Sequence, residues 1–128
     1  MNIFQGVEKV LVLGAHGDDE IIGCGGTIAN LVQQGAEVIV VTFTKRVSSG
    51  YAKVVSLATA ENIANKEMQA ADDILGVKRE VLGYPVQGVQ NDIETFQRVT
   101  KLIRQYRPNV MTHRPNDHHR DHRARSHW

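Results

Sequence analysis

The sequence has 128 residues, a formal net charge of +1, 41% hydrophobic and 23% charged residues, and a single cysteine, Cys24. That length fits one domain, 1–128, able to bury roughly two-thirds of its unfolded surface, and the near-neutral balance argues against a nucleic-acid partner. The lone cysteine excludes an internal disulfide framework, no apolar run approaches the roughly 20 residues of a membrane span, and MNIFQGVEKV lacks a signal-peptide pattern, so the expected compartment is the cytoplasm.

Glu8 to Ala15 (EKVLVLGA) is a continuous apolar run, as expected of a strand covered on both faces. Asp19 to Gln34 carries helical periodicity through Ile22, Ile28, Leu31 and Val32, with Gly35 placed to cap it. EVIVVTF (37–43) predicts a second buried strand, and the polar stretch 44–55 with its Ser-Ser-Gly predicts a surface loop. A second helix is expected from about Leu57 to Leu75, ended by Gly76, and a short strand over Arg79 to Leu82. The loop GYPVQGVQ (83–90) follows, and Asn91 with Glu94 suggests a capping box for a third helix reaching Arg104. Pro108 turns the chain out of helix, and NVMT (109–112) reads as a fourth strand.

This alternation predicts a Rossmann-like three-layer α/β/α fold with a mostly parallel sheet in the order 3-2-1-4. In that order strands one and four are neighbours, and ligands bind at the switch point beyond their carboxyl ends. AHGDDE (15–20) follows strand one and THRPNDHHRDH (112–122) follows strand four. The two unusual segments should therefore face each other across one crevice. From Lys101 to Trp128 seven basic residues meet two acidic ones, and five of the six histidines lie there. That concentration fits either a solvated terminus or a site for an anion or a metal.

GAHGDDEIIGCGG looks superficially like a dinucleotide turn, but the G-x-G-x-x-G spacing is absent. Asp18, Asp19 and Glu20 would also fill the positive helix end that a pyrophosphate needs. Negative charge there suits a cation. His16 and Asp19 lie three residues apart, so a turn entering a helix can aim both at one point. The second segment offers His113, Asp117, His118, His119, Asp121 and His122. Histidine and carboxylate donors without cysteine suit zinc, or another divalent transition metal, in a hydrolytic site. The residue types alone leave open which groups hold the ion and which handle a proton.

The pairing of AHGDDE with HRPNDHHRDHRA (113–124) resembles the LmbE-like family of zinc de-N-acetylases, the superfamily of the N-acetylglucosaminyl-phosphatidylinositol deacetylases. The family pattern is A-H-P-D-D-E after strand one and H-x-P-x-D-x-H-x-D-H after strand four. This chain matches the second through His113, Pro115, Asp117, His119, Asp121 and His122. GCGGTIA (23–29) and EMQAADDILGV (67–77) are similar to the family's first two helices. The resemblance implies a zinc-dependent amide hydrolase removing the acetyl group from an N-acetylglucosamine-type sugar or conjugate. It places the metal ligands on His16, Asp19 and His122 and the general base on Asp18. His119 then matches the histidine that stabilises the developing oxyanion or protonates the amine, and Asp121 the acid that orients that histidine.

Three departures stand beside these matches. Gly17 replaces the usual proline, which predicts a looser turn. IANKEMQ (63–69) lacks the arginine that many members carry before the helix-two glutamate. The family pattern also continues well past the DHRA segment, whereas this chain ends at Trp128, so the resemblance implies a truncated form. The alternative reading is accordingly a non-catalytic metal- or sugar-binding remnant, and apolar sheet surface left open would favour a homo-oligomer. A receiver-like phosphoacceptor ranks last, because LGYPVQ (82–87) offers no aspartate after strand three. Plainer roles are expected elsewhere. Glu20 reads as a helix-starting charge, Cys24 as a small packing residue, His113 and His118 as loop residues, His127 as a solvated terminus, and the late arginines as solvated.

Overall fold

The apolar periods translate into alternating strands and helices in the computed structural model, which describes residues 3–46, 53–112 and 118–125. In chain order these are β1 (Lys9–Gly14), α1 (Asp19–Gln33), β2 (Glu37–Thr44), α2 (Leu57–Leu75), β3 (Lys78–Tyr84), α3 (Ile93–Tyr106), β4 (Val110–Thr112) and α4 (Arg120–Arg125). The four strands form one all-parallel sheet in the order β3-β2-β1-β4. This is the expected 3-2-1-4 order, and it puts β1 beside β4.

Because successive strand residues point to opposite faces, the run of β-branched and leucine side chains feeds two separate cores. Leu11, Leu13, Ile39, Val41 and Phe43 pack on one face with Val99 and Leu102 of α3. Val10, Val12, Val38 and Val40 pack on the other with Ile28 and Leu31 of α1. Leu11 is a fully buried member of the first cluster. Leu11→Ala is expected to lower unfolding free energy by about 2–5 kcal/mol, read as a shift in a urea titration. A change under about 1 kcal/mol would mean that the site collapses around the smaller side chain.

The helix ends follow local chemistry. The Ser56 hydroxyl accepts from the Thr59 amide at 3.2 Å to start α2, and Gly76 ends it in the left-handed region at φ 72°. The capping box expected at Asn91 is not formed. Asp92 caps α3 instead, accepting from the Thr95 amide at 2.9 Å, and this bond holds its carboxyl below the usual carboxylate range. Strand β3 also runs further than predicted. The register slips between Thr42 and Thr44, placing Gly83 (φ 82°) in a bulge before Tyr84 rejoins the sheet. Asn109 lies just before β4 rather than in it, and its side-chain oxygen accepts from the amides of Glu8 and Lys9, both at 2.9 Å. The start of β1 is thereby clamped to the start of β4. Among the described residues no helix is long and apolar enough to cross a membrane.

Candidate metal centre

The ends of β1 and β2 are locked together first. Ala15 carbonyl oxygen accepts from the Thr44 amide at 3.0 Å and from its hydroxyl at 2.9 Å. Beyond that clamp the chain turns through His16, Gly17 and Asp18 into α1. The Asp19 carboxylate accepts from the His16 backbone amide at 2.9 Å, which fixes the two side chains relative to one another. From the other side, β4 delivers the chain toward α4, whose first turn carries Asp121 and His122, just after His119. The switch point therefore gathers residues 106 positions apart in the chain, as the sheet order requires.

Three Lewis-basic atoms converge there. His16 Nδ1 lies 3.1 Å from His122 Nε2, Asp19 Oδ2 lies 3.4 Å from His122 Nε2 and 4.0 Å from His16 Nδ1. Zinc bonds of about 2.0–2.2 Å in tetrahedral array separate ligand atoms by about 3.3–3.6 Å, so this triangle is close to the size the ion needs. Three ring systems crowd the same point. The His119 ring stands edge-on to His16 at 4.7 Å between centroids and 5.0 Å from His122. Ring nitrogens of His16, His119 and His122 come within 4.8 Å of one another, so these three form a second, looser grouping able to hold a metal.

Hydrogen bonds separate the histidines. Asp121 is fully buried, and its carboxylate lies 3.1 Å from His16 Nε2 while accepting from the amides of Gln87 at 2.7 Å and Val89 at 3.2 Å. A carboxylate only accepts, so His16 Nε2 is the nitrogen that donates to Asp121, and Nδ1 is the ring atom turned toward His122 and Asp19. This is the carboxylate–histidine arrangement that orients metal-ligating imidazoles. His119 is held differently. Its Nδ1 accepts from the Asp121 backbone amide at 3.2 Å, which leaves the proton of a neutral ring on Nε2 as a donor. The carboxylate of Asp121 thus addresses His16, and its amide, not its carboxylate, makes this bond to His119. The first turn of α4 causes the difference by sending the side chain across the crevice while the amide points back to residue 119.

Asp18 occupies the N-cap position of α1 yet makes no side-chain cap bond, and it is exposed. Its carboxylate is therefore not committed to the helix. His118 is exposed, whereas His113, Pro115, Asp117 and His127 lie outside the described residues. Exposed Arg120 and Arg123 line an open groove with Val89, Gln90, Asn91 and Ala124 beside α4. Cys24 interrupts α1 with non-helical angles and packs partly buried against the α1 core. Burial, and then the charge of Glu20, pushes its thiol up, away from the thiolate a metal would take.

Two expectations change here. Gly17 is buried, and an added Cβ would meet Met68 Sδ at 3.0 Å and Arg46 Cδ at 3.4 Å. The glycine makes room for side chains that lie over the turn, so close packing rather than looseness explains it. Glu20 is not a solvated helix-starting charge. Its side chain is 0% exposed and paired with Arg79 Nη2 at 2.5 Å. Arg79, Asp72 and Thr42 complete that buried cluster, and none of them stood out in the sequence. One signal was present: Ala60, Ala64, Met68 and Asp72 recur every fourth residue on the buried face of α2, which puts an acid where an apolar residue belongs.

The chain is similar to known proteins over nearly its whole length. Residues 11–127 match the family PIG-L, described as GlcNAc-PI de-N-acetylase. The diacetylchitobiose deacetylase of Thermococcus kodakarensis is 30% identical over 126 residues, covering 94% of this chain and 47% of that protein. The solved N,N'-diacetylchitobiose deacetylase of Pyrococcus horikoshii superposes with a TM-score of 0.86 at 32% identity, covering 99% of this chain and 49% of that one. The 4-carboxy-2-hydroxymuconate hydratase GalB of Pseudomonas putida superposes at 0.76 with 26% identity, over 90% of this chain and 51% of that one. The chain thus spans about half the length of the proteins it matches.

Proposed function

The chain belongs to the PIG-L family of GlcNAc-PI de-N-acetylases, and from that membership we propose that it carries the metal centre of a zinc-dependent hydrolase acting on N-acetylated sugars or their conjugates. The observation that carries the reading is the triangle of His16 Nδ1, Asp19 Oδ2 and His122 Nε2, with its edges of 3.1, 3.4 and 4.0 Å. These three would hold the ion. Bound there, zinc would polarise an amide carbonyl and bring water into its nucleophilic range near neutral pH.

The remaining work falls to the protein's own groups. Asp18, uncommitted at the mouth of α1, takes the proton from the attacking water. His119, with its proton on Nε2, donates to the oxygen that gains charge as the carbonyl becomes tetrahedral, or to the departing amine. Asp121 holds the His16 tautomer, as its 3.1 Å contact with Nε2 suggests. An N-acetylglucosamine-type substrate is supported by the diacetylchitobiose deacetylases that the chain resembles.

The structural neighbour GalB is a 4-carboxy-2-hydroxymuconate hydratase, so the fold alone does not choose between hydration and deacetylation. Acetate release separates the two chemistries. The chain is expected to bind one zinc per molecule by elemental analysis and to liberate acetate from diacetylchitobiose or N-acetylglucosamine conjugates. Substoichiometric zinc after loading would sink the metal centre. Full zinc without acetate release across a broad panel of N-acetylated sugars would instead favour a non-catalytic binding domain.

A further inference from the structure

The first turn of α1 carries three consecutive acids, and the third, Glu20, turns away from the other two. Its carboxylate is met by Arg79 Nη2 at 2.5 Å. The same guanidinium binds Asp72 through Nη2 at 2.6 Å and Nε at 2.8 Å, and Thr42 Oγ1 through Nη1 at 2.6 Å. Side-chain exposure is 5% for Arg79, 4% for Asp72 and 0% for Glu20. One cluster therefore ties α1, α2, β2 and β3 together under the turn that bears His16 and Asp19.

The charges in this cluster do not cancel. Two carboxylates share one guanidinium, and Glu20 Oε2 is buried without a hydrogen-bond partner among the described residues. A buried negative charge with an unsatisfied oxygen is unfavourable unless positive charge lies near it. Glu20 Oε2 and Asp19 Cβ each lie 3.5 Å from the point where a Cβ on Gly14 would stand, so both flank the last residue of β1. The crevice holding His16, Asp19 and His122 is thus the adjacent place where a cation would offset the excess.

We infer that Glu20, fixed by Arg79, is a positioning residue of the metal centre: it sets the first turn of α1 so that Asp19 meets the histidines, and it supplies buried negative charge that a divalent cation offsets. The inference rests on the zinc reading above. It predicts a coupling between a buried network and cation affinity that a merely structural ion cluster would lack.

Glu20→Gln keeps the size and one accepting oxygen while removing the charge. Its zinc affinity, measured on the full chain by competition with a chromophoric chelator, is expected to fall about 10–100-fold. The zinc-induced rise in Tm should shrink with it, while the metal-free Tm stays equal or rises. Arg79→Lys keeps the net charge but cannot hold Glu20 and Asp72 together, and it should also weaken zinc several-fold. This second variant decides the matter if Glu20→Gln does not fold. Zinc affinity within twofold of wild type in either folded variant overturns the inference, whatever happens to stability. Failure of the wild-type chain to bind zinc overturns it together with the metal reading, whereas equal affinities in wild type and variant overturn this inference alone.

Discussion

His16→Ala is expected to abolish stoichiometric zinc binding and to reduce amide hydrolysis about 10³-fold, the scale set by losing several kcal/mol of metal-derived stabilisation. The physical reason is that His16 acts on two sides. Its Nδ1 stands within 3.1 Å of His122 Nε2 and 4.0 Å of Asp19 Oδ2, while its Nε2 faces Asp121 at 3.1 Å. Removing the ring deletes one donor and takes from the fully buried Asp121 carboxylate one of the three partners seen among the described residues. Asp121 retains the Gln87 and Val89 amides, so the fold should survive with a lowered Tm. Elemental analysis of the purified variant checks the claim directly. Full zinc occupancy without His16 would remove it from the ligand set and move the site toward His119.

Asp18→Asn should produce the opposite dissociation between binding and turnover. A general base is worth about 10²–10⁴ in rate, so kcat should fall by that factor. Zinc content should stay at the wild-type level, because Asp18 lies outside the triangle of donor atoms. Stability should barely move, since Asp18 is exposed and makes no cap bond that the amide would lose, and asparagine is itself a good N-cap. Steady-state kinetics beside a thermal melt distinguishes the cases. An unchanged kcat would return Asp18 to the role of a macrodipole charge. A joint loss of zinc and activity would make it a ligand.

Much of the fold was legible because it rests on short-range periodicity. The apolar runs at 8–15 and 37–43 became β1 and β2 because a strand covered on both faces needs no polar alternation. The bounds of α2 were readable from Gly76 and the apolar period. Local signals failed where two of them competed. Asn91 and Asp92 both have capping side chains, and only the packing of Thr95, fully buried, settles that Asp92 takes the position. Gly83 looked like the start of a loop, because a glycine in a bulge and a glycine in a turn read alike without the partner strand. The short α4 was not expected at all; six residues of RDHRAR carry no apolar period.

The sequence by itself determined the strand order and, through it, the meeting of His16, Asp19, His119, Asp121 and His122 in one crevice. Right-handed crossovers and parallel pairing leave few other arrangements for this succession of elements. Only the tertiary structure decided how those residues are partnered. Asp121 addresses His16, Gly17 yields space to Met68 and Arg46, and Glu20 turns inward to Arg79, 59 residues away. A carboxylate's partner depends on which groups burial brings within about 3 Å of it. That distance is set between elements remote in the chain, where no periodicity or spacing rule reaches.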